Sequence, residues 1–131
     1  MPLYEINSPS AHIWNISHEF FLAMDMADTL QHINLKVVDH EKCKEIYIRR
    51  GSNISEQSQL CAGGENGRDS CVGDSGSSMV VSEVRPGQFF SSWKLVGLVS
   101  FGPQECGTEN IPGVYSRIRH YLDWIIDVVT S

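Results

Sequence analysis

From Leu30 onward, apolar and polar residues fall into patterns that predict elements. His32-Ile33-Asn34-Leu35-Lys36-Val37 alternates polar and apolar, the period-two mark of a half-buried strand, and Val38 continues it. Asp39 to Tyr47 (DHEKCKEIY) is polar and predicts a short helix capped by Asp39. Gly51 to Gly76 is loop-rich, with Gly51, Gly63, Gly64, Gly67, Gly73 and Gly76 among serines and asparagines. Leu60-Cys61 and Ser70-Cys71-Val72 interrupt it with residues suited to burial. Two strands follow, Ser77 to Val84 and Trp93 to Phe101, separated by the turn Arg85-Pro86-Gly87-Gln88. Val114-Tyr115 is a further short strand after Pro112-Gly113. At the end, Ile118, Tyr121, Leu122, Ile125 and Val129 share one helical face, which predicts a terminal helix docked on a β core. Residues 1–29 are the least patterned: Pro2, Asn7 and Pro9 suggest an irregular lead-in, and His18 to Ala27 (HEFFLAMDMA) suits a short helix or a buried strand equally. No segment repeats. The whole predicts a mostly β fold with a C-terminal helix, its aromatic residues Trp93, Phe101, Tyr115 and Trp124 read as core.

Composition narrows the function classes. The chain has 131 residues, 41% hydrophobic and 20% charged, enough for one ordinary domain. Sixteen acidic against ten basic side chains leave a net charge of −6, and no Lys/Arg cluster exceeds Arg49-Arg50, which argues against nucleic acid as a partner. No apolar run approaches the ~18 residues of a membrane helix. The four cysteines, Cys43, Cys61, Cys71 and Cys106, include no C-x-x-C pair, so a structural zinc site is disfavoured and no metal or other cofactor is expected. An even number of widely spaced cysteines fits two disulfides, hence an oxidising compartment. Asn15-Ile16-Ser17 and Asn53-Ile54-Ser55 are glycosylation sequons, in keeping with secretion. Met1 to Trp14, however, has neither the basic nor the apolar region of a signal peptide.

The stretch with chemical content is Asp69-Ser70-Cys71-Val72-Gly73-Asp74-Ser75-Gly76. A serine flanked by glycines on a tight turn can be presented as a nucleophile, because missing β-carbons let substrate and backbone amides approach. Three readings compete: a plain glycine-serine loop, a lipase-type elbow, and a serine-protease nucleophile with an oxyanion hole. The elbow fails, since G-x-S-x-G requires glycine where Ser77 stands. Phosphate-loop and dinucleotide motifs are absent, and His18-Glu19 begins an H-E-x-x-H motif that Leu22 ends.

Further runs decide among them. Leu60-Cys61-Ala62-Gly63-Gly64, then Asp69 to Gly76, then Val99-Ser100-Phe101-Gly102, Cys106-Gly107 and Pro112-Gly113-Val114-Tyr115-Ser116-Arg117-Ile118 resemble the C-terminal half of a chymotrypsin-fold, trypsin-like serine protease. The wording CAGGENGRDSC with LVSFGPQECGTENIPGVYSRI most resembles the arthropod clip-domain proteases. The resemblance covers about residues 30–129. It implies a C-terminal, Greek-key, six-stranded β-barrel at residues 30–131 after a divergent lead-in at 1–29, with the N-terminal barrel missing. Ser75 is then the nucleophile, and the amides of Gly73 and Ser75 form the oxyanion hole. Asp74 is the acceptor of the activation salt bridge. Asp69 is the base of a pocket for Arg or Lys, walled by Gly102 and Gly113. Ser100 matches a residue that supports the triad aspartate, and Phe101 matches a substrate-facing position usually held by Trp. The implied disulfides are Cys43–Cys61 and Cys71–Cys106. The implied setting is a secreted, zymogen-based cascade, with partners that are protein substrates, an N-terminal half of the protease, or a serpin-type inhibitor.

This chain departs from the family pattern at three points. Ser77-Ser78 replaces the usual Gly-Pro after Gly76, and Val72 replaces a polar residue at the pocket entrance. More consequentially, none of His12, His18, His32, His40 and His120 lies in an A-A-H-C context, no aspartate lies in a D-I-A-L context, and no I-V-G-G activation site is present. A serine without a base is a weak nucleophile, so the 131 residues alone are expected to be inactive. An unpaired buried Asp74 lacking its amino-terminal partner is expected to cost stability unless its loop relaxes into an exposed, zymogen-like form. The alternative is a non-catalytic, protease-like binding module.

Overall fold

Residues 10–17, 26–71 and 73–131 are described in the computed structural model, with side chains from residue 32 onward. Six strands and two helices follow in the order β1 (Ser10–Ser17), β2 (Met26–Val38), α1 (His40–Arg49), β3 (Gln59–Gly63), β4 (Ser78–Glu83), β5 (Ser92–Phe101), β6 (Pro112–Arg117) and α2 (Ile118–Thr130). The strands close into a barrel in the order β1-β2-β3-β6-β5-β4, every neighbouring pair antiparallel. Two three-stranded runs, β1-β2-β3 and β4-β5-β6, are therefore joined by one crossover, residues 64–77.

Period-two alternation decides what faces inward. Leu60 and Ala62 on β3, Met79 and Val81 on β4, and Tyr115 on β6 fill the barrel together with Leu35, Val96 and Val99. The intervening residues of β3 and β6 are buried as well. Cys61 and Val114 point to the opposite face and pack with Cys43, Tyr47 and Ile54 beneath α1, forming a second core. β3 and β6 are thus covered on both faces, which explains their nearly continuous apolar reading. The Asp39 carboxylate accepts the Lys42 N–H at 3.3 Å and starts α1, and the Cys43–Cys61 disulfide staples this helix to β3.

The expected strands from Leu30 onward and both expected helices are present, with ends shifted by a few residues. Two expectations need correction. The stretch read as an irregular lead-in carries β1 and the start of β2; β1 pairs with β2 and, through His12 and Val80, with β4, closing the barrel. Residues 1–9 and 18–25, including most of HEFFLAMDMA, lie outside the described residues. The aromatic residues also divide. Tyr115 is fully buried, whereas Trp93 and Trp124 are 57% and 65% exposed and Phe101 lies at the surface. Trp93 stands on a β5 face that turns outward. Trp124 lies on α2, which turns only Ile118, Leu122 and Ile125 partly inward and buries no residue fully.

Met79, fully buried in the barrel, and Trp124 provide a test of this division. Met79→Ala is expected to cost about 2–5 kcal/mol by urea denaturation, against roughly 0.5 kcal/mol for Trp124→Ala.

Candidate active site

The crossover and the β5–β6 loop are held together at one end of the barrel. Gly67 N–H donates to the Gly107 carbonyl at 2.9 Å, Asn110 N–H to the Gly64 carbonyl at 2.8 Å, and the Cys71–Cys106 disulfide adds a covalent tie. Gly107 has φ +76°, and a β-carbon there would stand 2.9 Å from the Gly67 α-carbon, so the two backbones approach as closely as glycine alone permits.

This tie positions Asp69. Its Oδ2 accepts the Gly107 N–H at 3.1 Å, whereas Oδ1 is buried without a hydrogen-bond partner among the described residues. No ion pair among the described residues involves Asp69. Burial pushes its carboxyl above the ordinary range, the Gly107 and Ser70 amides pull it back, and the nearby Asp74 charge pushes it further up. Gly113 lies directly over the orphaned oxygen: a β-carbon there would meet Asp69 Oδ1 at 3.2 Å and the Tyr115 hydroxyl at 3.1 Å. Gly102 is beside it, its built β-carbon 3.7 Å from the Gly113 α-carbon. Asp69, Gly102 and Gly113, singled out in the sequence, are thus brought together.

Ser75 is exposed on a tight turn between Gly73 and Gly76, both at positive φ. Ser77 N–H closes the turn on the Asp74 carbonyl at 2.8 Å. Gly76 N–H donates to the Val99 carbonyl at 2.9 Å, fixing the turn to β5. The N–H groups of Gly73 and Ser75 donate to no carbonyl among the described residues. Nor does any hydrogen bond join Ser75 to a histidine among them. Ser100 lies exposed near the end of β5, one residue beyond Val99, and Val72 lies outside the described residues.

Of the two states open to Asp74, buried at a cost or relaxed and exposed, the structure has the buried one. Asp74 is 1% exposed, and its Oδ2 accepts the Cys71 N–H at 2.7 Å. This hydrogen bond across three residues lets the carboxylate stay inside the loop that it shapes.

The geometry adds three residues to those the sequence singled out. Ser70 Oγ and the Tyr115 hydroxyl lie 3.1 Å apart beneath Gly113. Tyr47, on α1, donates its hydroxyl to the Pro112 carbonyl and meets the Phe101 ring edge-on at 5.6 Å. Burial, with the Asp69 charge adding to it, pushes the Tyr47 phenol up to about 12. The apolar spacing of Tyr47 from Cys43, one helical turn away, was the available signal.

A family model described as Trypsin matches residues 16–125. The chain belongs to the trypsin family. Among curated relatives, it is 46% identical over 103 residues to CLIP domain-containing serine protease B15 of Anopheles gambiae, covering 79% of this chain and 26% of that protein. It is 39% identical over 101 residues to the phenoloxidase-activating enzyme of Bombyx mori, covering 75% and 22%, and 45% identical over 100 residues to trypsin eta of Drosophila erecta, covering 76% and 33%. This trypsin-family chain therefore spans about a fifth to a third of the length of these relatives.

Two outcomes test the site's architecture. Gly107→Ala, which drives a β-carbon into Gly67, is expected to cost roughly 1–3 kcal/mol in denaturant titrations. Because the folded state holds the Asp69 proton more tightly than the unfolded chain does, this group's contribution is fully present below the ordinary carboxylate range. It is lost as pH rises through the raised value. Asp69→Asn is therefore expected to gain stability on the parent across that window, with a constant advantage above it, in denaturation midpoints measured from acid to neutral pH.

Proposed function

We propose that the chain is the C-terminal, substrate-recognising barrel of a secreted, trypsin-like endopeptidase that cleaves after Arg or Lys. The observation that carries this reading is the half-satisfied Asp69 carboxylate, with one oxygen on Gly107 N–H and the other buried against Gly113. A desolvated carboxylate without a cation gains most from a guanidinium or ammonium group brought to it, and glycine at 102 and 113 leaves room for a long side chain. Ser75 is the nucleophile in this reading. Its Oγ attacks the scissile carbonyl, and the uncommitted N–H groups of Gly73 and Ser75 receive the developing oxyanion. The proton from Ser75 passes to a histidine, oriented by an aspartate, that an N-terminal half supplies. In the zymogen sequence of events, Asp74 leaves the Cys71 amide for a new amino terminus. Ser100 supports the triad aspartate, and Phe101, braced by Tyr47, contacts the substrate. Two disulfides support passage through an oxidising compartment, and the serine-protease relatives support protein substrates; a place in a proteolytic cascade and a serpin-type inhibitor complete this reading.

Titration with p-aminobenzamidine, an amidinium that mimics the Arg head, tests specificity. The chain is expected to bind it, and Asp69→Asn to weaken binding by roughly 2–5 kcal/mol, about thirtyfold or more. No binding, or binding indifferent to Asp69, overturns the Arg/Lys assignment. A fluorophosphonate is expected to leave Ser75 unmodified in the 131-residue chain and to label it once an N-terminal half is joined. Amidinium binding with Ser75 still inert in the joined protein would mark a protease-like binding module instead.

A further inference from the structure

A second feature lies on the loop between α1 and β3, away from the residues of the crossover turn. Within residues 52–55, Ser52 and Asn53 are exposed, Ile54 is buried in the second core, and Ser55 is exposed. The stretch is anchored on both sides of Asn53. Ser52 N–H donates to the Tyr47 carbonyl at 2.9 Å, and Ser55 N–H donates to Gln59 Oε1 at 2.8 Å. Between these anchors, no hydrogen bond or ion pair among the described residues engages the side chain of Asn53 or of Ser55. Asn53-Ile54-Ser55 is a sequon, and the fold leaves both of its reacting residues presented to solvent while Ile54 holds the backbone in place. A bulky, hydrated substituent at Asn53 would displace no packed group.

The other sequon is placed differently. Asn15 lies within β1, opposite Gln31 of β2, and its neighbour Trp14 is opposite Ser78 of β4, so its backbone belongs to the barrel wall.

We propose that Asn53 carries an N-linked oligosaccharide. The donor class is an oligosaccharide linked through diphosphate to a membrane lipid. The Asn53 Nδ2 forms a bond to the anomeric carbon, the bond from that carbon to the diphosphate oxygen breaks, and the lipid diphosphate leaves with the electron pair while the amide gives up one proton. The modification requires entry into the secretory pathway, which the two disulfides favour independently of any proteolytic activity.

The test places the full 131-residue chain behind a cleavable secretion leader in insect cells, in an Asn15→Gln background that leaves Asn53 in the remaining sequon. Glycopeptide mapping by mass spectrometry is expected to find the glycan on Asn53. Asn53→Gln and Ser55→Ala, each made in that background, are expected to lose it. Mapping covers both the secreted and the membrane-enclosed fractions, so poor folding does not hide the result. Unmodified Asn53 in both fractions overturns the proposal, as does a mass increment that survives Ser55→Ala.

Discussion

The arrangement depends on a half-buried carboxylate, Asp69, with no matching cation among the described residues. Asp69 is stabilised by amides of its own backbone surroundings, chiefly Gly107 N–H, and that amide is in place because two glycine-rich loops are pressed together and covalently tied by Cys71–Cys106. Such a charge is costly if its surroundings are free to rearrange, since any loosening leaves it with fewer partners and no compensating hydration. The tight approach of Gly67 to Gly107 and the buried Asp74 carboxylate on the Cys71 amide confine the same short segment from both sides. The loop bearing Ser75 begins where that confinement ends.

The barrel supplies the frame for this confinement. β3 and β6 are buried on both faces, inward by the barrel core and outward by α1 and its disulfide. Tyr47 connects the outer core to the site through Pro112 and Phe101. Packing beneath a helix that bears no reacting group thus sets the position of the strand end that passes over Asp69.

Much of this is legible in the sequence. Alternation marks β2 from His32 to Val37, runs bounded by a turn mark β4 and β5, Asp39 marks its helix start, and the ordered run of motifs identifies the family, whereas β3 lies in a stretch that reads as loop. What escapes is what local pattern does not encode. β1, Ser10 to Ser17, becomes a strand because β2 and β4 flank it, and such pairing belongs to tertiary context more than to intrinsic preference. Trp93 and Trp124 carry core-like side chains, yet both stay more than half exposed, because their exposure depends on which way β5 and α2 face. Asp74 is hydrophilic by composition, and a backbone amide three residues away helps to hold it buried. The hydroxyl pair of Ser70 and Tyr115 spans two distant elements and has no sequence signature.

The seam at which β3 meets β6, with Gln59 opposite Ser116, and the seam at which β1 meets β4, with His12 opposite Val80, join segments far apart in the chain. Neighbouring strands can pair after short loops close, whereas these seams require long loops to lose entropy before any contact compensates. Until they close, each three-stranded run presents bare edges able to pair with another molecule. The order of strands that gathers the crossover and the β5–β6 loop at one end of the barrel therefore also makes assembly of the barrel the slow, aggregation-sensitive stage in the life of the chain.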